Sequence, residues 1–142
     1  MTATTAYDNP DLTLTDCPWP ITQDDRGRLV LELGEVAALS IRAGRAGEAL
    51  SWFAGSAIRP TVLTRTGRTL QWVFLTQPET AMSLATRADL AYLSACSLTG
   101  RVLLPPAECD GVAIRWVIGP LPTWELPRWQ HVVAATRATL AA

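Results

Sequence analysis

The run Leu70–Leu75, LQWVFL, constrains this chain more than any other segment. It is apolar at odd and even positions alike, so as a strand it presents hydrophobic side chains on both faces. Such a strand is stable only at the centre of a sheet covered on both sides. Other runs read as strands around it: Arg28–Leu33, Val36–Ile41, Thr61–Thr64, Arg101–Leu104 and Ala113–Ile118. Gly34–Glu35 between the first two predicts a hairpin, and Arg65–Thr69 predicts a turn into the central run.

Three helices are expected among these strands. Ala43–Ala54 places Ala46, Ala49, Leu50 and Phe53 at helical spacing, weakened by Gly44 and Gly47 and ended by Gly55. Pro78–Glu79 signals a second helix with Met82, Ala85 and Tyr92 on one face. Leu90–Leu98 reads equally as its continuation or as irregular chain. The last helix follows Pro127, with Trp129, Val132, Val133, Thr136 and Leu140 in an amphipathic stripe. The element order predicts an α+β fold, a mostly antiparallel sheet flanked by helices with a C-terminal amphipathic helix.

At 142 residues, 49% hydrophobic and 18% charged, the chain suits one domain with its own core. Residues 1–26 read as a tail and lead-in, anchored by Trp19, and 27–142 as a single domain. Three separated cysteines, Cys17, Cys96 and Cys109, and one histidine, His131, offer no paired zinc ligands. The expectation is reduced thiols, no metal and no cofactor. The start of the chain has no basic and apolar leader, and no run is long enough to span a bilayer. The protein is therefore expected in the cytoplasm and off the membrane.

Formal net charge is −1, which argues against strong sequence-independent binding of nucleic acid. All twelve basic residues are arginine, and alanine is abundant, as in proteins of GC-rich genomes.

Few residues suggest chemistry. Glu32 and Glu35 flank the first turn, but three residues apart on a strand they face opposite sides. His131 has no nucleophile or orienting carboxylate in local pattern and reads as a surface or boundary residue of the last helix. Cys17 and Cys109 lie in proline-rich loops, and Cys96 reads as a small packing residue. The loop Thr64–Thr69, TRTGRT, stands out because two arginines, hydroxyls and a glycine between strands can hold a phosphate. The same residues make an ordinary hairpin turn, and there is no P-loop lysine. Of the six tryptophans, Trp72 and Trp116 are expected in the core, while Trp124 and Trp129 suit either core or a partner patch.

Two stretches carry a family resemblance. Gly100–Val117, GRVLLPPAECDGVAIRWV, resembles the segment of bifunctional DNA primase/polymerase domains in which an apolar strand meets Pro-Pro-Ser, a Gly turn and an aromatic strand ending in Trp. Leu121–Trp129, LPTWELPRW, is similar to the Leu-Pro-x-x-Pro-x-Trp lead into that domain's closing helix. Upstream, Thr64–Phe74 resembles its Thr-x-Ser-Gly-Gly-x-His-aromatic strand. The likeness covers residues 60–130.

In that family, part of the archaeo-eukaryotic primase superfamily, catalysis uses an Asp-x-Asp or Asp-x-Glu pair, a histidine and a further acid. Here Thr69 or Leu70 stands at the histidine's place, Ala107 replaces the serine after Pro105–Pro106, and no such acidic pair lies on a predicted strand. Gly67, Gly100, Pro105, Pro106 and Trp116 keep the framework. The resemblance thus implies a degenerate, non-catalytic relative of the small-protein kind found in high-GC actinobacteria. It is expected to touch nucleic acid or nucleotide weakly through Arg65, Arg68, Arg101 and Arg115. The alternative is a protein-interaction or regulatory module that keeps the fold without the ligand, with a protein partner or a homo-oligomer as its context.

Overall fold

The computed structural model describes residues 17–67 and 69–141. Its ten strands are β1 (Ile21–Gln23), β2 (Leu29–Glu32), β3 (Ala37–Arg42), β4 (Thr61–Arg65), β5 (Gln71–Thr76), β6 (Cys96–Ser97), β7 (Arg101–Leu103), β8 (Glu108–Cys109), β9 (Val112–Ala113) and β10 (Trp116–Ile118). The helices are α1 (Ala43–Ala54), α2 (Leu84–Tyr92) and α3 (Trp129–Ala138), the last continued by a 3₁₀ turn at Thr139–Ala141. The fold is α+β, and every strand pairing is antiparallel.

Three layers explain the central run. A five-stranded sheet in the order β10-β4-β5-β3-β6 lies between the helices and a three-stranded sheet β1-β2-β7. Along β5 the alternation of side chains divides the cores: Phe74 packs with Phe53, Trp129 and Val132 on the helix side. Val73 and Leu75 pack with Leu29, Leu31 and Val102 on the other. Each face of β5 therefore buries its own hydrophobic layer, which is why polar alternation is absent from the run.

The hairpin expected at Gly34–Glu35 does not form. β2 joins the three-stranded sheet and β3 the five-stranded one. Leu29 and Leu31 of β2 meet Ala38 of β3 in one core cluster, so the two runs face each other across the space between sheets rather than pairing edge to edge. Gly34, at φ +153°, gives the chain a conformation that other residues rarely take as it passes between layers. The lead-in is also shorter than expected, because Ile21–Gln23 pairs with Leu29–Leu31 and Trp19 is buried. The rest of the tail, 1–16, lies outside the described residues.

The face assigned to the second helix is overturned. α2 begins at Leu84, with the Ser83 hydroxyl accepting the Thr86 N–H, and buries Thr86 and Leu90. Tyr92 and Ala85 face solvent instead. The helix stops at Tyr92 in a Schellman arrangement: Ala95 N–H donates to the Leu90 carbonyl and Ser94 N–H to that of Ala91. Ser94 occupies the left-handed position, φ 57°, where glycine is usual. Cys96 follows on the edge strand β6 and is exposed, so it is not a packing residue.

In α3 the stripe holds through Trp129, Val132, Val133 and Thr136, then shifts. The Thr136 hydroxyl donates to the Val132 carbonyl and the Thr139 hydroxyl to the Thr136 carbonyl. The tighter final turn buries Thr139 and leaves Leu140 exposed. Trp72 and Trp116 are half-buried rather than fully enclosed, and they pack on opposite sides of the sheet. The expected strand Ala113–Ile118 is divided into β9 and β10, because Asp110 and Gly111, both at positive φ, turn β8 into β9.

Among the described residues no helix is long and apolar enough to cross a membrane.

Candidate functional site

Two of the four candidate arginines converge, from different sheets. Arg65 is the last residue of β4 and Arg101 the first of β7. Together with Thr64, Thr66, Cys109 and Ile114 they line a cleft of about 230 Å³. Its floor is apolar, since Val102 and Ile114 are buried, and its rim is cationic.

The rest of the site is set by the strand next door. Arg115, just ahead of β10, donates its N–H to the Thr64 hydroxyl at 2.9 Å and accepts the Thr64 N–H at 2.8 Å. These bonds hold the end of β4 in place, but the exposed Arg115 side chain does not line the cleft. Arg68 lies outside the described residues.

The two guanidiniums differ in their surroundings. Arg101 approaches Glu32 at 3.4 Å, and Glu32 also accepts the Thr22 hydroxyl. Both partners of that pair are well exposed, so it is a weak, salt-screened contact. The backbone of Arg65 pairs with Gln71 of β5, but its guanidinium has no ion-pair or hydrogen-bond partner among the described residues. A guanidinium without a carboxylate at the mouth of a small cleft is free to donate a forked pair of bonds to a phosphate or carboxylate.

The remaining candidates stay apart. Glu32 is committed to Arg101, and Glu35 is exposed. Among the described residues no three His, Cys, Asp or Glu side chains gather where they could hold a metal ion. His131 is half-buried beside Arg128 at the start of α3, in a different cleft. Burial pushes the Cys17 thiol up, with the Trp19 N–H bond opposing it.

The sequence reading missed Cys109 as a wall of the Arg65 cleft. The signal was present: Asp110-Gly111 is a strong two-residue hairpin pair, and it folds Cys109 back against Val112.

No family model, curated protein or solved structure matches the chain.

Proposed function

We propose that the protein is a non-catalytic module that binds the phosphates of a nucleotide or nucleic acid, on a degenerate primase/polymerase-like framework, in the cytoplasm. The observation that carries the reading is the meeting of Arg65 and Arg101 at one cleft, which Thr64 and Thr66 also line. Arginine forks match phosphate oxygens, and the hydroxyl of Thr66 adds a neutral donor. Affinity is weak because the cleft is small, its second arginine is shared with Glu32, and net charge is −1.

The test is a titration of ATP and of a thymidylate oligomer followed by intrinsic tryptophan fluorescence or anisotropy. Arg65→Ala should weaken binding by roughly tenfold or more, the scale of one charge-assisted bond. Binding that ignores both Arg65→Ala and Arg101→Ala removes the cleft from the account.

One observation favours a second reading, a protein-interaction surface. Leu84 and Tyr92, two turns apart on α2, are 86% and 79% exposed, with Ala88 exposed between them. Isolated exposed apolar residues are ordinary, but three along one helical face form a stripe that suits a protein partner or a second copy.

A further inference from the structure

A cleft of about 200 Å³ opens on the helix side of the five-stranded sheet, whereas the Arg65 cleft has its floor in the other core layer. The segment leading into α2 forms one wall through Met82 and Ser83, and Thr86 of the helix continues it. Trp129, Val133 and Arg137 of α3 form the other, four residues apart and so on one helical face. Trp129 and Val133 are buried and Met82 is half-buried, which makes the floor apolar.

One buried polar group at this cleft is unsatisfied. Trp129 is 1% exposed, and its indole N–H has no hydrogen-bond partner among the described residues. Trp19, by contrast, gives its indole N–H to the Trp124 carbonyl. An indole N–H can only donate, and a buried donor left unpaired forfeits the bond that water would give it. Trp129 borders this cleft and neither the Arg65 cleft nor the His131 cleft.

The other polar groups fix the kind of acceptor that fits. The Ser83 hydroxyl donates to the Thr86 hydroxyl at 3.0 Å, which leaves the Thr86 proton as a second donor. Arg137 supplies the charge among the lining residues, and Asp89 already neutralises it. Its Nε and Nη2 both donate to the same carboxylate oxygen at 2.8 Å. A ligand that carries its own charge finds no free counter-ion here and loses its hydration on entry. Two donors over an apolar floor, without free charge, suit a carbonyl oxygen on a short apolar chain. The volume equals that of roughly seven waters, below the range of drug-sized sites.

We propose that this cleft binds a small uncharged carbonyl compound, an amide or ketone with a branched apolar tail. The carbonyl oxygen accepts the Trp129 indole N–H and the Thr86 hydroxyl. The tail lies on Val133 and against Met82, whose unbranched thioether adapts to its shape. The site uses none of the arginines of the phosphate-binding reading and stands or falls without it.

The experiment is an NMR titration of isotope-labelled protein with isovaleramide, followed at the assigned indole N–H signals of its six tryptophans. The Trp129 signal should move downfield and saturate at millimolar ligand or below. Methyl isobutyl ketone, which keeps the carbonyl and drops the amide nitrogen, should do the same. Isovalerate, with the same tail and a charge, should bind about tenfold more weakly or not at all. Trp129→Phe, its fold checked by circular dichroism, should lose about tenfold in affinity for the amide, read at the Thr86 and Val133 backbone signals. Ala134→Leu, at the exposed rim, fills the cleft from the surface; it should keep the indole signal and abolish the shift. Should Trp129→Phe not fold, the Ala134→Leu titration decides. A Trp129 signal that stays still, or moves as far in Ala134→Leu as in the native protein, overturns the proposal. So does isovalerate binding as tightly as the amide, or a resident water whose cross-peak to the indole N–H persists at saturating amide.

Discussion

The indole N–H of Trp19 donates to the backbone carbonyl of Trp124 at 3.1 Å, and the two rings meet edge to face with centroids 5.2 Å apart. The contact closes the start of the described chain onto the loop leading to α3. Trp124 holds its place at φ 63°, with its own N–H on the Leu121 carbonyl. Because the bond reaches a backbone carbonyl, replacing the Trp124 side chain leaves that acceptor present. Trp19→Ala should destabilise by about 3–5 kcal/mol. A double-mutant cycle with Trp124→Ala should return about 0.5–1.5 kcal/mol of coupling for the rings. Urea denaturation measures both, and additive losses would mean that the ring contact contributes nothing beyond burial.

Ser94→Gly should raise stability by about 0.5–1 kcal/mol. The left-handed conformation disfavours serine and suits glycine, and the backbone bonds of the Schellman turn are kept. The denaturation midpoint should rise with an unchanged slope. A lower midpoint would show that the Ser94 side chain contributes to the turn.

Thr61 is fully buried in β4, and its hydroxyl has no partner among the described residues. Thr61→Val keeps the branched shape and removes the unpaired group. The expected gain is about 1 kcal/mol, read from the same denaturation curves. A loss of that size would mean that the hydroxyl has a partner in solution.

Desolvation pulls the Asp24 carboxyl up. Bonds from the Arg28 backbone and guanidinium and from the Arg26 N–H, with the Arg28 charge, outweigh it and hold the group below the usual range. A depressed folded pKa means that the unfolded chain takes the proton more readily. The stabilisation is complete above the unfolded value of roughly 3.9, and it fades as pH falls through the lower folded value. Stability measured from neutral pH down through that window should fall more steeply in the native protein than in Asp24→Asn. Parallel curves would contradict the assignment.

Purified protein should extend no primer with Mg²⁺ or Mn²⁺ and all nucleotides. Two-metal transfer needs clustered carboxylates. Glu108 is exposed on the β8–β9 ribbon, Asp110 sits in its turn, and neither joins a third ligand among the described residues. Product that persists through repurification and disappears on Glu108→Ala with Asp110→Ala would overturn this.

Much of the fold was legible in local pattern. The two-faced run at Leu70–Leu75 is the middle of the sheet, the turn after Arg65 is a hairpin, and the stripe from Trp129 to Thr136 is a buried helix face. The second helix was misread because its C-terminal signal is a serine where glycine is expected, and because Tyr92 suggests burial by type alone. Cys96 misled in the same way, since its small apolar character says nothing of an edge position.

What the sequence by itself determined was the set of elements and the demand for two covers over one central strand. Periodicity and hydrophobicity are local properties, and they survive in any arrangement that buries them. Only the tertiary structure decided which strands share a sheet. Adjacent runs at β2 and β3 pack face to face, with Leu29, Leu31 and Ala38 buried in one cluster between the layers. The same choice brought Arg101 from the small sheet to Arg65 at the end of β4, 36 residues away in the chain. No spacing rule links two such residues. Their meeting depends on how one sheet stacks on another, which is a property of the packed core rather than of either segment.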